Sequence, residues 1–201
     1  MQTDRLEAFS DGVIAILITI LVLELRIPVH NADLEALWRQ WPEFLSYLLS
    51  FVNLGIYWNN HHHMLRVTER INGSVLWANL HLLFWLSLFP FTTGWMGENH
   101  FATVPTAAYG VVSLCAAIAY YILQGRIIAE QGRASTLAAA VGRDRKGKAS
   151  PLIYTAGIGL SFANRWLGLV CYVVVALMWL IPDRRLESYA ADVSAVTHHH
   201  H

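Results

Sequence analysis

The stretch Arg5-Leu6-Glu7-Ala8-Phe9-Ser10-Asp11-Gly12-Val13-Ile14-Ala15-Ile16-Leu17-Ile18-Thr19-Ile20-Leu21-Val22-Leu23-Glu24-Leu25 decides the fold. A helix needs about 20 predominantly apolar residues to cross the hydrocarbon core, and Leu6 to Leu25 supply them. Asp11 lies inside this run. An ionisable group within a span is costly and turns toward protein or water, so Asp11 is expected to face away from lipid. The run has no basic leader, uninterrupted core or small-residue cleavage site of the kind a signal peptide carries, so it is expected to remain in the mature chain.

At about 100° per residue, Phe9, Gly12, Ile16, Ile20 and Leu23 share one narrow face, with Thr19 beside it. Asp11 points about 140° away from Ile16 by the same geometry. Periodicity alone leaves two roles for the apolar strip, helix packing or the lining of a pore, and packing is the commoner. It also leaves two roles for Asp11, a transport site or a buried hydrogen-bonding hub.

Outward from this helix, the rest of the chain repeats the pattern. Of 201 residues, 55% are hydrophobic and 14% charged, where soluble domains carry about 25% charge. Further apolar runs cover Glu43 to His63, Ser74 to Met96 and Pro105 to Gly125. The stretch Ser150 to Ile181 would make a helix of roughly 48 Å, too long for one span. The polar trio Ala163-Asn164-Arg165 near its middle divides it into two shorter spans. The expectation is an all-α polytopic membrane protein. Its six spans lie near 6–25, 43–63, 74–96, 105–125, 150–163 and 166–181, forming one domain over 1–185 with a tail over 186–201. His198 to His201 read as the remnant of an affinity tag.

Charge orients this plan. With both termini inside, eleven basic residues face the cytoplasm, six of them between Arg126 and Lys148, against Arg26, Arg39 and Arg165 outside. That is a positive-inside bias, and it predicts cytoplasmic termini. The basic loop is read as an orienting segment near anionic lipid. Asn31 or Asp33 is placed to cap a short interfacial helix presenting Leu34, Leu37, Trp38 and Trp41. Pro90 is expected to kink the third span.

A formal net charge of zero argues against a nucleic-acid partner. No nucleotide loop, GxSxG or HExxH is present, so neither an enzyme nor a cofactor is expected. Cys115 and Cys171 fall inside apolar runs and read as packing residues, with no CxxC pair.

Five blocks carry a resemblance. They are Arg5-x-x-x-Phe9-Ser10-Asp11-Gly12 continuing through Ile16, Thr19 and Leu23-Glu24-Leu25, then Tyr57-Trp58-x-x-His61-His62, Leu76-Trp77-x-Asn79-Leu80, Leu88-Phe89-Pro90-Phe91, and Trp179-Leu180-Ile181-Pro182-Asp183-Arg184-Arg185. In this order they resemble the transmembrane protein 175 potassium channel family. The resemblance implies a prokaryotic homotetramer in the cell (inner) membrane, conducting potassium ions through a central pore lined by the first helix, without a re-entrant filter.

By position it implies constrictions at Ile16, Ile20 and Leu23, and selectivity at Thr19 together with Ile16. It further implies a structural network of Arg5, Phe9, Ser10, Asp11, Trp58, His61, His62 and Asn79, with the participating histidine among His61, His62 and His63 left open. Apolar rings of this kind can gate by dewetting. No metal site is implied beyond the permeant potassium.

Two rivals stand beside this reading. A metal protein using His61, His62, His63, His81 and Asp11 is disfavoured, because adjacent helical residues splay about 100° apart. A proton channel or proton-coupled carrier would use Asp11 and the inner-leaflet histidines.

Overall fold

A computed structural model describes residues 3–26, 33–132, 135, 137, 138 and 145–180. The cap at Asn31, Arg184 and Arg185, part of the basic loop and the tail from 186 lie outside these residues.

Helix α1 spans Thr3–Ile20 and tightens into a 3-10 turn at Leu21–Glu24. Helix α2, Leu34–Trp38, is capped by Asp33, whose side chain accepts from the Ala36 N–H at 2.8 Å. It is only five residues long and leaves Leu34, Leu37 and Trp38 exposed. Helix α3, Trp41–Arg66, carries Pro42 in its first turn, where a missing N–H costs nothing. Helix α4, Gly73–Ser87, is capped by Asn72, which accepts from the Val75 N–H at 3.1 Å.

Helix α5, Phe89–Glu98, carries Pro90 in its first turn, so the third apolar run is two helices divided at Leu88. Pro90 cannot continue the hydrogen-bond ladder of α4, and α5 begins afresh from it. Helix α6, Thr103–Gln131, runs past the expected end near Gly125, because the chain meets no breaker until Gly132 at φ 94°. Helices α7, Arg145–Ala163, and α8, Arg165–Leu180, are separated at Asn164, within the polar trio. The Asn164 side chain accepts from the Trp166 N–H at 3.0 Å and so opens the second of the pair.

Among the described residues, Thr3–Glu24, Gly73–Glu98 and Thr103–Gln131 are long and apolar enough to cross a membrane, and α8 is a shorter apolar helix. Helix α1 packs against α3 and α4, and its 3-10 turn against α3 and α5. Helix α6 joins α4 to the α7–α8 pair. Small residues set the close approaches, as in membrane bundles generally. A side chain at Gly110 would overlap the Tyr172 hydroxyl, and one at Gly168 would overlap Ser161. Buried polar groups pair across helices: Asn53 Nδ2 donates to the Tyr109 hydroxyl at 2.9 Å, and the Ser50 and Thr93 hydroxyls hydrogen-bond to each other at 2.5 Å.

The turn between α5 and α6 places His100 and Phe101 at positive φ, 51° and 56°. The buried Phe101 ring, packed against Trp41 and Trp166, anchors that conformation.

Candidate functional site

Helix α1 is two-sided. Leu6, Ser10, Ile14, Leu17 and Leu21 recur at helical spacing and are buried against the protomer. On the other side Phe9, Gly12, Ile16, Thr19, Ile20 and Leu23 are exposed, Ile16 by 57% and Leu23 by 75%. The chain therefore buries one stripe of this helix and leaves a second, apolar stripe uncovered among the described residues. Exposed apolar strips of this kind mark surfaces that meet something other than bulk water.

The 3-10 turn alters one expected relation. Residues three apart eclipse in a 3-10 helix, so Leu23 stands more nearly over Ile20 than a continuous α-helix would place it. The Thr19 hydroxyl donates to the Ile16 carbonyl at 2.8 Å, which leaves its oxygen lone pairs facing outward.

The inward stripe is pinned by polar residues. Asn79 Nδ2 donates to Ser10 Oγ at 2.9 Å, and Ser10 donates in turn to the Leu6 carbonyl at 2.8 Å. Asn79 Oδ1 accepts from His61 Nε2 at 2.7 Å. Ser10, His61 and Asn79 are all fully buried, so this chain ties α1, α3 and α4 together where water cannot compete.

His62, one residue on, turns elsewhere. Its Nδ1 lies 2.8 Å from Glu7 Oε1 and 3.8 Å from Asp11 Oδ2, while Trp58 stacks on its ring. The expected network is thus two: His61 with Asn79 and Ser10, and His62 with Glu7, Asp11 and Trp58. His63 only meets the edge of the His62 ring.

The protomer brings Arg5 and Phe9 into neither. Both lie on the outward side of α1, Phe9 exposed by 52%, because they sit about 140° and 100° round the helix from Ser10. His81 accepts from Trp85 Nε1 at 2.9 Å along its own helix.

Two functional candidates lay beyond the sequence reading. Glu7 sits one turn from Asp11, an i,i+4 spacing that was available as a signal. Glu98 ends α5 beside Glu24 and pairs with Arg26 at 2.6 Å; nothing local in the sequence joins residues that far apart. The Glu24 carboxylate packs against Gly94, where a side chain would collide with it. Glu24, Gly94 and Glu98, together with Ile20 and Trp95, line an open cavity of about 570 Å³.

Apolar helices, buried interhelical polar bonds and a first helix with an unpartnered apolar stripe define a polytopic helical membrane protein. The profile of the family described as endosomal/lysosomal potassium channel TMEM175 matches residues 5–90. A potassium channel of Chryseobacterium sp. (strain P1-3) is 50% identical over 187 residues, covering 93% of this chain and 97% of that one.

The crystal structure of a lysosomal potassium-selective channel TMEM175 homolog from Chamaesiphon minutus superposes with a TM-score of 0.80. It is 29% identical and covers 89% of this chain and 96% of that one. The endosomal/lysosomal proton channel TMEM175 of Gallus gallus is 40% identical over 73 residues, 31% of this chain but 15% of that protein. The chain belongs to the TMEM175 family of ion channels, a family of transport proteins and not an enzyme class.

Proposed function

We propose that this protein is a potassium-permeable cation channel in which the outward stripe of α1 lines the ion path. The observation that carries the reading is the exposed row Ile16, Thr19, Ile20 and Leu23, opposite a stripe fully committed to the protomer core. Four copies around an axis would turn that row inward. The potassium channels named among its relatives support the choice of ion.

In this reading each subunit is one domain over 1–185 with six spans. Helices α4 and α5 form the third, and α7 and α8 the last two. Both termini lie on the cytoplasmic side of a prokaryotic inner membrane, as the basic-residue asymmetry supports.

Ile16, Ile20 and Leu23 form successive apolar constrictions that exclude water when closed. At the Ile16 level, Thr19 offers oxygen to an ion that has shed part of its hydration shell. Potassium sheds water more readily than sodium, so a tight apolar ring with one hydroxyl layer favours it. The buried Ser10–Asn79–His61 chain holds α1 in register and takes no part in conduction. Glu24 and Glu98, near the C-terminal end of the first helix, concentrate cations at the outer mouth.

Planar-bilayer recording tests the reading. Ile16→Asn raises conductance and lowers potassium-over-sodium preference, while Thr19→Ala lowers preference alone. Permeation indifferent to both substitutions would remove α1 from the pore.

A second reading draws on the Glu7–Asp11–His62 group, whose three titratable side chains could pass protons. Reconstituted flux that depends wholly on a proton gradient, and is abolished by Asp11→Asn, would favour it over potassium conduction.

A further inference from the structure

Glu7, Asp11 and His62 form a group that potassium conduction leaves unused. Glu7 and Asp11 lie one turn apart on α1, and His62 meets them from α3. One donor atom from each, an imidazole nitrogen and two carboxylate oxygens, falls within 4.8 Å of the others. All three side chains are partly buried.

Asp11 Oδ1 is shielded from solvent and has no hydrogen-bond partner among the described residues. The Trp58 ring stacks on His62, centroids 5.9 Å apart at 23°, and so fixes the plane in which Nδ1 points. An open cavity of about 460 Å³, walled also by Thr3, Asp4, Arg66 and Thr68, leads to the group.

We propose that Glu7, Asp11 and His62 bind a divalent first-row transition ion of the zinc class, which clasps α1 to α3. The donor set decides the class: one imidazole with two carboxylates suits zinc and its neighbours, whereas magnesium and calcium favour oxygen alone. Two carboxylates balance the charge of the dication.

Zinc bonds of about 2.0–2.2 Å would bring the donors to roughly 3.3 Å from one another in a tetrahedron. Both carboxylates sit on flexible side chains that can close the remaining distance. Water from the cavity supplies the fourth ligand. Adjacent histidines splay apart on a helix, so only His62 of the three is used. Arg66 stands on the cavity wall but is exposed, where solvent screens its charge.

A clasp here would restrain the helix proposed to line the pore. The effect on flux rests on that proposed function; the binding itself does not.

Cobalt(II) titration of the detergent-solubilised protein, with His198 to His201 removed, tests the binding. The expected result is a visible ligand-field band saturating at one cobalt per chain, bleached by added zinc and absent in Glu7→Gln and His62→Gln. Zinc should also raise the thermal unfolding temperature of wild type and leave that of Glu7→Gln unchanged. Glu7→Gln keeps the size of the side chain, and neither residue belongs to the Ser10–Asn79–His61 chain, so the variants are expected to fold.

No band, or one unaltered in both variants, overturns the site. In liposomes, micromolar zinc should cut wild-type potassium flux at least threefold and spare Glu7→Gln. Cobalt binding without inhibition overturns the clasp. An absence of potassium flux before zinc is added overturns the channel reading instead.

Discussion

Ile14 and Ile16 stand two positions apart on α1 and meet opposite surroundings: Ile14 is fully buried, whereas Ile16 is 57% exposed. The same side chain thus serves the protomer core at one position and an outward surface at the other. Ile14→Ala is expected to destabilise the folded protein by about 2–5 kcal/mol, the cost of lost burial plus a cavity. Ile16→Ala is expected to cost far less stability and to raise potassium flux by widening a constriction. Thermal unfolding in detergent and liposome flux, measured on both variants, check the pair. Equal destabilisation by the two would contradict the two-sided assignment.

The buried chain through Asn79 makes a second prediction. Asn79→Leu keeps the volume but leaves the Ser10 hydroxyl and His61 Nε2 without their partner. Orphaning buried polar groups costs about 1–3 kcal/mol in soluble proteins, while interhelical hydrogen bonds in membranes average nearer 0.6 kcal/mol. Two bonds are lost, so a loss of about 1–2 kcal/mol is expected, read as a lower midpoint in denaturant titration. An unchanged midpoint would mean that the chain does not hold α1.

Two glycines separate packing from permeation. A methyl at Gly110 would meet the Tyr172 hydroxyl and ring and the Ile158 side chain in the core. Overpacking of this kind costs about 1–3 kcal/mol. A methyl at Gly12 meets nothing within 4 Å, and alanine is the better helix former by about 1 kcal/mol. Gly110→Ala should therefore lower the melting temperature, and Gly12→Ala should hold or raise it. Gly12 shares the outward stripe, so its substitution should still alter single-channel conductance.

The Arg26–Glu98 pair gives a salt-dependent prediction for the proposed channel. Arg26 pairs with Glu98 at 2.6 Å in a largely exposed setting, where such a pair contributes about 0–1 kcal/mol. Arg26→Gln should leave stability nearly unchanged and free the negative field of Glu24 and Glu98. Potassium conductance should rise in dilute salt and converge with wild type near 1 M, where the screening length falls to about 3 Å. An increase that persists at high salt would point to a steric cause.

The sequence by itself determined the membrane class, because hydropathy depends on composition along the chain and needs no knowledge of neighbours. It also determined that α1 has an apolar stripe and a separate carboxylate, since helical periodicity places each side chain by its number alone. The breaks at Pro90 and Asn164 were legible for the same reason: a missing N–H and a polar interruption act locally.

Only the tertiary structure decided which stripe of α1 the fold keeps, because from Val13 to Ile20 every residue but Thr19 is apolar and either side of that stretch could have packed. It joined Ser10 to Asn79, 69 positions apart. It sent His61 and His62 to different partners, since neighbours on a helix diverge by about 100°. It set Glu7 beside His62 and Glu24 against Gly94. These pairings depend on how rigid helices dock, through small residues and close contacts that leave no period in the chain.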